Sequence, residues 1–244
     1  MPFFYMSCPL CEHQNNKPIG EKNDHQIVCC LFCGFIHVNP MPKSPQLEEL
    51  YDQYGHTESY LKKIKKKIFT SKHKLKKLNK YLNQNQNQFL DVGCSIGATV
   101  EAANRLGYEA TGIDLDKKVI KQAQKLFPTN KFQAITTDEL VQTNIQYDLI
   151  YCAEVVEHVP DPHAFMASLN KLLKTGAILY LTTPDAGHRK VPKDFVSWNR
   201  VTPPEHIGYF TRKTMSLLLE KQGFKVIKFK WSHRTNMRVI CKKL

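Results

Sequence analysis

From Phe89 onward, short apolar runs alternate with amphipathic stretches of about ten residues. Apolar runs at 89–92, 109–113, 131–135, 147–152 and 177–181 read as strands, because each is short and bounded by turn residues. Helices are predicted between them at 97–106, stopped by Gly107, and at 117–127, opened by Asp116 and stopped before Pro128. A third begins at Asp161-Pro162 and runs to Lys174-Thr175-Gly176. Such alternation builds a parallel sheet covered on both faces. Thr211 caps a further helix to Gln222. After Gly223, runs at 224–231 and 237–243 flank a five-residue polar turn, which makes them a hairpin. The expected fold is α/β: a doubly wound, mainly parallel sheet whose C-terminal hairpin contributes an antiparallel strand.

Upstream the period changes. Leu61, Ile64, Ile68, Leu75, Leu78 and Leu82 recur at steps of three, four or seven with lysines between them, the pattern of one long basic amphipathic helix or of two joined near Thr70-Ser71. Before it, Ser44-Pro45-Gln46-Leu47-Glu48 reads as a capped short helix, and after it the Asn/Gln run 83–88 reads as a loop. The first 45 residues hold Cys8-Pro9-Leu10-Cys11 and Cys30-Leu31-Phe32-Cys33-Gly34. Each pair presents two thiolates from one tight turn, which is the spacing of a zinc ribbon. Cys29 is a substitute ligand, although Cys30 has the right distance to Cys33. Two unrelated pairs of buried cysteines are the plainer alternative. Three units follow: a ribbon over 1–45, a helical linker over 46–84, and a main domain over 85–244.

Composition and charge restrict the function. The chain of 244 residues is 42% hydrophobic, enough for one moderate core plus an appendage. No apolar run approaches the roughly 18 residues of a membrane span, and the first ten residues lack a signal-peptide pattern, so a cytoplasmic protein is expected. In that reduced compartment eight cysteines read as metal ligands or buried thiols. Ten lysines between Lys62 and Lys80 carry most of the formal charge of +13. That segment is either a solvated face over a packed stripe or a surface for RNA or another acidic partner.

The chemistry centres on Asp91-Val92-Gly93-Cys94-Ser95-Ile96-Gly97, a glycine turn between the first strand and helix of the sheet. Such a turn admits a pyrophosphate or another ligand that approaches the backbone closely. Asp91, two residues before the first glycine, would repel a pyrophosphate. It suits the ammonium and sulfonium of S-adenosylmethionine. Asp114 ends the next strand, where a carboxylate accepts hydrogen bonds from ribose hydroxyls.

With Asp114, Glu154-Val155-Val156-Glu157-His158-Val159-Pro160-Asp161-Pro162 and the closing hairpin, the chain resembles the class I S-adenosylmethionine-dependent methyltransferases. Pro203-Pro204-Glu205-His206 before Tyr209-Phe210, together with the ribbon, is similar to a subgroup of zinc-ribbon methyltransferases. The resemblance implies cofactor contacts at Asp91, Gly93, Cys94, Ser95, Gly97, Asp114, Leu115, Ala153 and Glu154. It departs from the common pattern in Ser95, where many members have glycine, and in Thr136 or Thr137, where many have an acidic residue near the adenine. Glu154, Glu157 and His158 fall three and four apart, which would place them on one face of a short helix. The same Glu-x-x-Glu-His is similar to that of the ubiquinone O-methyltransferases, where it can hold a divalent cation. Otherwise it supplies a base, or only orients backbone. His206 lies in a proline- and aromatic-rich segment, 185–210, long enough to be a lid. The implied activity is methylation of a small-molecule or sugar-like acceptor at O or N, with Cys8, Cys11, Cys30 and Cys33 holding structural zinc and Glu157, His158 and His206 as catalytic candidates. An RNA methyltransferase and a non-catalytic cofactor or zinc module are the alternatives.

Overall fold

The computed structural model describes residues 7–42, 57–83 and 85–244. The expected helix at Ser44–Glu48 and the side chain of Leu61 lie outside the described residues. A seven-stranded sheet has the order β10-β11-β8-β7-β4-β5-β6. Its strands are β4 (Gln88–Val92), β5 (Glu109–Ile113), β6 (Lys131–Gln133), β7 (Tyr147–Ala153), β8 (Leu173–Pro184), β10 (Phe224–Lys230) and β11 (Asn236–Lys243). The first five run parallel, and β11 is antiparallel to both β8 and β10. Chain order reverses between β5 and β7 on either side of β4, so the loop after β4 opens at the switch point where such sheets bind ligands.

Helices α1 (Thr57–Leu78), α2 (Ala98–Asn104) and α3 (Lys117–Leu126) cover one face. The apolar stripe of α1 is used as its spacing predicts: Ile68, Leu75 and Leu78 are buried with Phe89, Val100, Leu149 and Ile240. It is one continuous helix, since Ser71 is buried and its hydroxyl meets that of Thr99 at 3.2 Å. Helices α4 (Thr137–Val141), α5 (Pro162–Leu172) and α6 (Arg212–Lys221) cover the other face with Leu140, Met166, Leu169, Met215 and Leu218.

Two differences from the sequence reading have local causes. Helix α5 stops at Leu172, and 173–176 already belong to β8, because pairing with Tyr147 of β7 draws the strand back to Leu173. Thr136 is a helix cap: its hydroxyl accepts from Glu139 N while Glu139 accepts from Thr136 N, a capping box that opens α4.

The N-terminal unit is a second sheet of order β1-β2-β3-β9, with β1 (Asn16–Lys22), β2 (His25–Cys30) and β3 (Ile36–Val38). Its fourth strand, β9 (Gly208–Tyr209), comes from the distant 185–210 segment. No helix among the described residues is long and apolar enough to cross a membrane.

Candidate functional site

The C-terminal ends of β4, β5, β7 and β8 meet at one rim, and every predicted cofactor or catalytic residue lies along it. The loop after β4 turns at Gly93, whose φ of +72° and close approach to Val155 admit no side chain: an added Cβ would lie 2.5 Å from Val155 Cγ2. Ser95 and Glu154 are also left-handed, at φ +49° and +58°, a conformation that costs a non-glycine residue about 1 kcal/mol or more and gathers at ligand sites. Gly93 N and Cys94 N donate to Ile113 O, Ser95 N donates to the Asp114 carboxylate at 2.9 Å, and Gly97 N donates to Cys94 O. These four amides are therefore occupied within the loop. The Cys94 side chain is buried beneath it against Gly112.

Asp91 is almost wholly buried, at 2% exposure. Burial pushes its carboxyl well above the usual range and Asp114 adds to the effect, while Lys67, Lys74 and a hydrogen bond with Thr99 oppose it. Asp114 is likewise raised by burial, and its hydrogen bonds from Asp116 N and Ser95 N pull the other way. Leu115, beside it, is 52% exposed and offers an apolar surface at the lip. Ala153 ends β7 next to Glu154. A buried and a half-buried carboxylate beside an exposed leucine fit a ligand with a cationic end and a nucleoside end, which is the donor set S-adenosylmethionine requires.

The two lysines are the residues that sequence reasoning missed. Lys67 and Lys74 lie seven apart on one face of α1, and their lysine neighbours gave no way to single them out. Both side chains remain exposed, yet desolvation lowers the pKa of each, and Asp91 counteracts it in both. Lys74 Nζ also donates to Tyr151 Oη at 3.3 Å. The lysine helix is therefore not merely a solvated face over a packed stripe, since these two ammonium groups lie within electrostatic reach of Asp91.

The expected Glu154–Glu157–His158 face divides. Only Val156–His158 form a helical turn, a single 3-10 turn. Glu154, left-handed in its backbone, instead accepts from Thr182 Oγ1 of β8 at 2.9 Å. His206 takes its place: one ligand atom from each of Glu157, His158 and His206 lies within 4.8 Å of the others. His158 Nδ1 donates to Glu205 O and His206 Nδ1 donates to Arg200 O, each at 2.8 Å, and carbonyls can only accept. Both Nε2 atoms are left as lone-pair donors. Glu157 Oε2 accepts from Thr183 Oγ1, while its buried Oε1 has no hydrogen-bond partner. Burial, with Glu154 nearby, pushes the Glu157 carboxyl up to about 8. Burial and the neighbouring His158 push the His206 imidazole down to about 4, and burial also lowers His158. Two neutral imidazoles and one unpaired carboxyl oxygen can accept a proton or hold a divalent cation.

The four ribbon sulfurs form a separate cluster on the far side of β3. Sγ of Cys8 lies 3.7 Å from that of Cys33, and Sγ of Cys11 lies 3.5 Å from that of Cys30. A tetrahedron with Zn–S bonds of about 2.3 Å has edges of about 3.8 Å, so the residues fit the ion. The Cys33 thiol is pulled down to about 5, chiefly by its hydrogen bond with Cys8, whose own thiol is pushed up by the same contact. Phe35 N donates to Cys33 Sγ at 3.4 Å, as backbone amides do around ribbon thiolates. Cys29 stands outside this group, its thiol facing Cys30 O.

The site can now be compared with known proteins. Residues 60–228 match the family described as "Methyltransferase domain". The chain is 40% identical over 101 residues to a ubiquinone biosynthesis O-methyltransferase of Psychrobacter arcticus, covering 38% of this chain and 39% of that protein. The chain thus spans about two fifths of the length of that curated relative. Among solved structures it is similar to a magnesium protoporphyrin IX methyltransferase of Synechocystis (TM-score 0.59, 15% identity, 82% of this chain and 99% of that one). It is equally similar to an S-adenosylmethionine-dependent methyltransferase of Clostridium acetobutylicum (TM-score 0.59, 12% identity, 80% and 99%). At those identities the likeness shows the fold. With the family match extending over more than two thirds of its length, from α1 into β10, the chain belongs to the methyltransferase-domain family.

Proposed function

We propose that this protein transfers a methyl group from S-adenosylmethionine to a hydroxyl of a small molecule. The observation that carries the reading is the Glu157–His158–His206 cluster at the same rim as the Asp91–Asp114 loop. When bound, the cofactor supplies an already activated methyl on a sulfonium, so the protein has only to align the acceptor, exclude water and take up its proton. Asp114 would hold the ribose, Leu115 and Ala153 would face the nucleoside, and Glu154 and Asp91 would face the cationic end. The loop amides are occupied, so Lys67 and Lys74 would meet the cofactor's carboxylate. A free Nε2 of His158 or His206 would take the proton of the acceptor hydroxyl, and Glu157, which keeps its own proton up to about pH 8, would serve as a base only above that; the bound cofactor would supply the methyl and leave as a thioether. A base of this kind is needed for a hydroxyl rather than for a ready nucleophile. The similar relative is named as an O-methyltransferase, which agrees. Two imidazoles and a carboxylate also suit a transition-series divalent cation bound at Glu157, His158 and His206, where it would lower the acceptor's pKa.

S-adenosylhomocysteine should bind at micromolar levels and raise the melting temperature, and NAD should not. Asp114→Ala and Lys74→Ala should each weaken that binding by about tenfold, or roughly 1.4 kcal/mol, while His206→Ala should leave it intact and abolish transfer to a catechol probe. Titration calorimetry and a methylation assay read the two separately. NAD stabilising equally well, or binding indifferent to Asp114, would refute the cofactor assignment.

One observation favours a second reading, methyl transfer to RNA. The fold brings together the two segments that lack any carboxylate: 62–80, with ten lysines, and 221–244, with eight basic residues, so +18 of charge sits on them and −5 on the rest of the chain. Lys230 and Arg238 are directly opposed across β10 and β11, with Lys77 and Lys80 of the adjoining segment within electrostatic reach of Lys230. The small-molecule reading predicts that RNA binding is weak and gone at physiological salt. Submicromolar binding to RNA at about 150 mM salt, with log K falling by roughly 0.7–0.9 per contact as log salt rises, would promote the second reading.

A further inference from the structure

The segment 185–210, which carries His206, packs on the ribbon although chain continuity assigns it to the main domain. Its apolar side chains Trp198, Val201 and Tyr209 are buried with Ile27 of β2, and Ile19 and Ile36 of the ribbon strands pack against them. That cluster is distinct from the two that cover the faces of the large sheet. Polar anchors add to it. Lys22 Nζ donates to Val196 O at 2.8 Å, and Asn23 Nδ2 donates to Pro203 O at 2.8 Å. At Gly20 the approach is so close that an added Cβ would lie 2.5 Å from Val196 Cγ1. Strand β9 completes the ribbon sheet, with Ile36 opposite Tyr209 and His37 opposite Gly208.

One residue joins the two systems. Ile207 is fully buried: its carbonyl accepts from Val38 N of the ribbon, and its amide donates to Glu157 O of the cluster, each at 2.9 Å. His206 precedes it, and Glu205, whose carbonyl orients His158, precedes that.

We propose that the cysteine ribbon is the positioning element of the acceptor side: the four thiols hold β2 and β3 in place, these hold the 195–210 lid, and Ile207 passes that registration to Glu157, His158 and His206. Cys30 ends β2, and two residues separate Cys33 from the first paired residue of β3, so a metal bound by the four thiols bears directly on the strands that grip the lid. The loop that would take the cofactor hangs on β4 and β5, which the ribbon does not pair with. Metal loss should therefore release the lid and spare the cofactor site. Positioning of the catalytic cluster rests on the function proposed above, whereas the coupling of ribbon to lid does not.

The test is backbone hydrogen exchange on the full chain, zinc-loaded and after chelation, with S-adenosylhomocysteine binding measured on the same samples. Peptides within 195–210 should exchange at least about tenfold faster without the metal, peptides within 88–93 and 147–153 should be unchanged, and affinity for S-adenosylhomocysteine should stay within about twofold. Cys30→Ser should reproduce this where chelation is incomplete. Asn23→Ala, with the metal retained, should accelerate exchange around 203–206 alone. A lid indifferent to metal removal overturns the proposal, and so does simultaneous loss of the lid and of cofactor-product binding, because either outcome denies a selective coupling. Zinc-loaded protein that never binds S-adenosylhomocysteine but shows the lid effect refutes the cofactor reading and leaves the coupling standing.

Discussion

Protein purified without chelator should contain one zinc per chain, and Cys30→Ser should lose it whereas Cys29→Ser should not. The two neighbours have the same chemistry and opposite placement. Successive strand residues face opposite sides, so at the end of β2 the Cys30 thiol meets Cys11 while the Cys29 thiol turns outward, half-buried. Structural sites of this kind contribute roughly 10–16 kcal/mol of apparent binding energy, and serine in place of one thiolate forfeits much of it. Elemental analysis and colorimetric zinc release give the outcome directly. Zinc absent from the wild type, or retained by Cys30→Ser, would contradict the ligand set.

Between pH 6.5 and 8 in cation-free buffer, Glu157 should cost the fold about 2 kcal/mol of stability, read as the difference between the wild type and Glu157→Gln. Glu157 has its folded pKa raised from 4.5 to about 8 by burial. A raised carboxyl keeps its proton in the folded state after the unfolded chain has lost it, so stability is greatest below pH 4.5 and is lost as pH rises towards 8. His206 acts in the opposite direction: lowered from 6.5 to about 4, it stays neutral in the fold, and its contribution is lost as pH falls from 6.5 to 4. The two offset each other below pH 6.5. Above it Glu157 contributes a slope of about 1.4 kcal/mol per pH unit, and subtracting the Glu157→Gln curve removes the contributions of Asp91, raised in the same direction, and of the metal-free Cys33 thiol, which is lowered and so acts oppositely. Denaturation midpoints at three pH values measure it. Manganese that binds the cluster should flatten the slope in the wild type and have no effect in Glu157→Gln. Wild-type and Glu157→Gln curves that run parallel without cation would show that Glu157 is ionised in the fold.

Much of the architecture was legible along the chain because it follows from local periodicity. Every strand of the large sheet and both covering faces came from apolar alternation and from glycine, proline and capping residues at element ends. The ligand pairs of the ribbon came from their spacing. What failed did so where a distant partner overrode local pattern. Residues 173–176, with a glycine and a polar threonine, look like a helix end, yet Leu173 already pairs with Tyr147 of β7 and opens the strand there. Thr136 and Thr137 carry no sign of a site because they build a helix cap.

The chemistry shows the same division. Spacing alone identified the Asp91–Gly97 turn, Asp114 and the four cysteines, since in each the functional atoms lie within one turn or follow a recurring strand-to-strand distance. Glu157, His158 and His206 were each candidates in the sequence, but that they meet in one cluster was decided only by the tertiary structure. Glu154 belonged to the predicted face by counting, but its left-handed backbone turns it away, and a histidine 48 positions beyond His158 closes the group because the lid is pinned to the ribbon. The selection of Lys67 and Lys74 from ten lysines had the same origin. Periodicity determines which side of a helix is buried, but which exposed residue meets a buried carboxylate depends on where the helix axis comes to rest on the sheet.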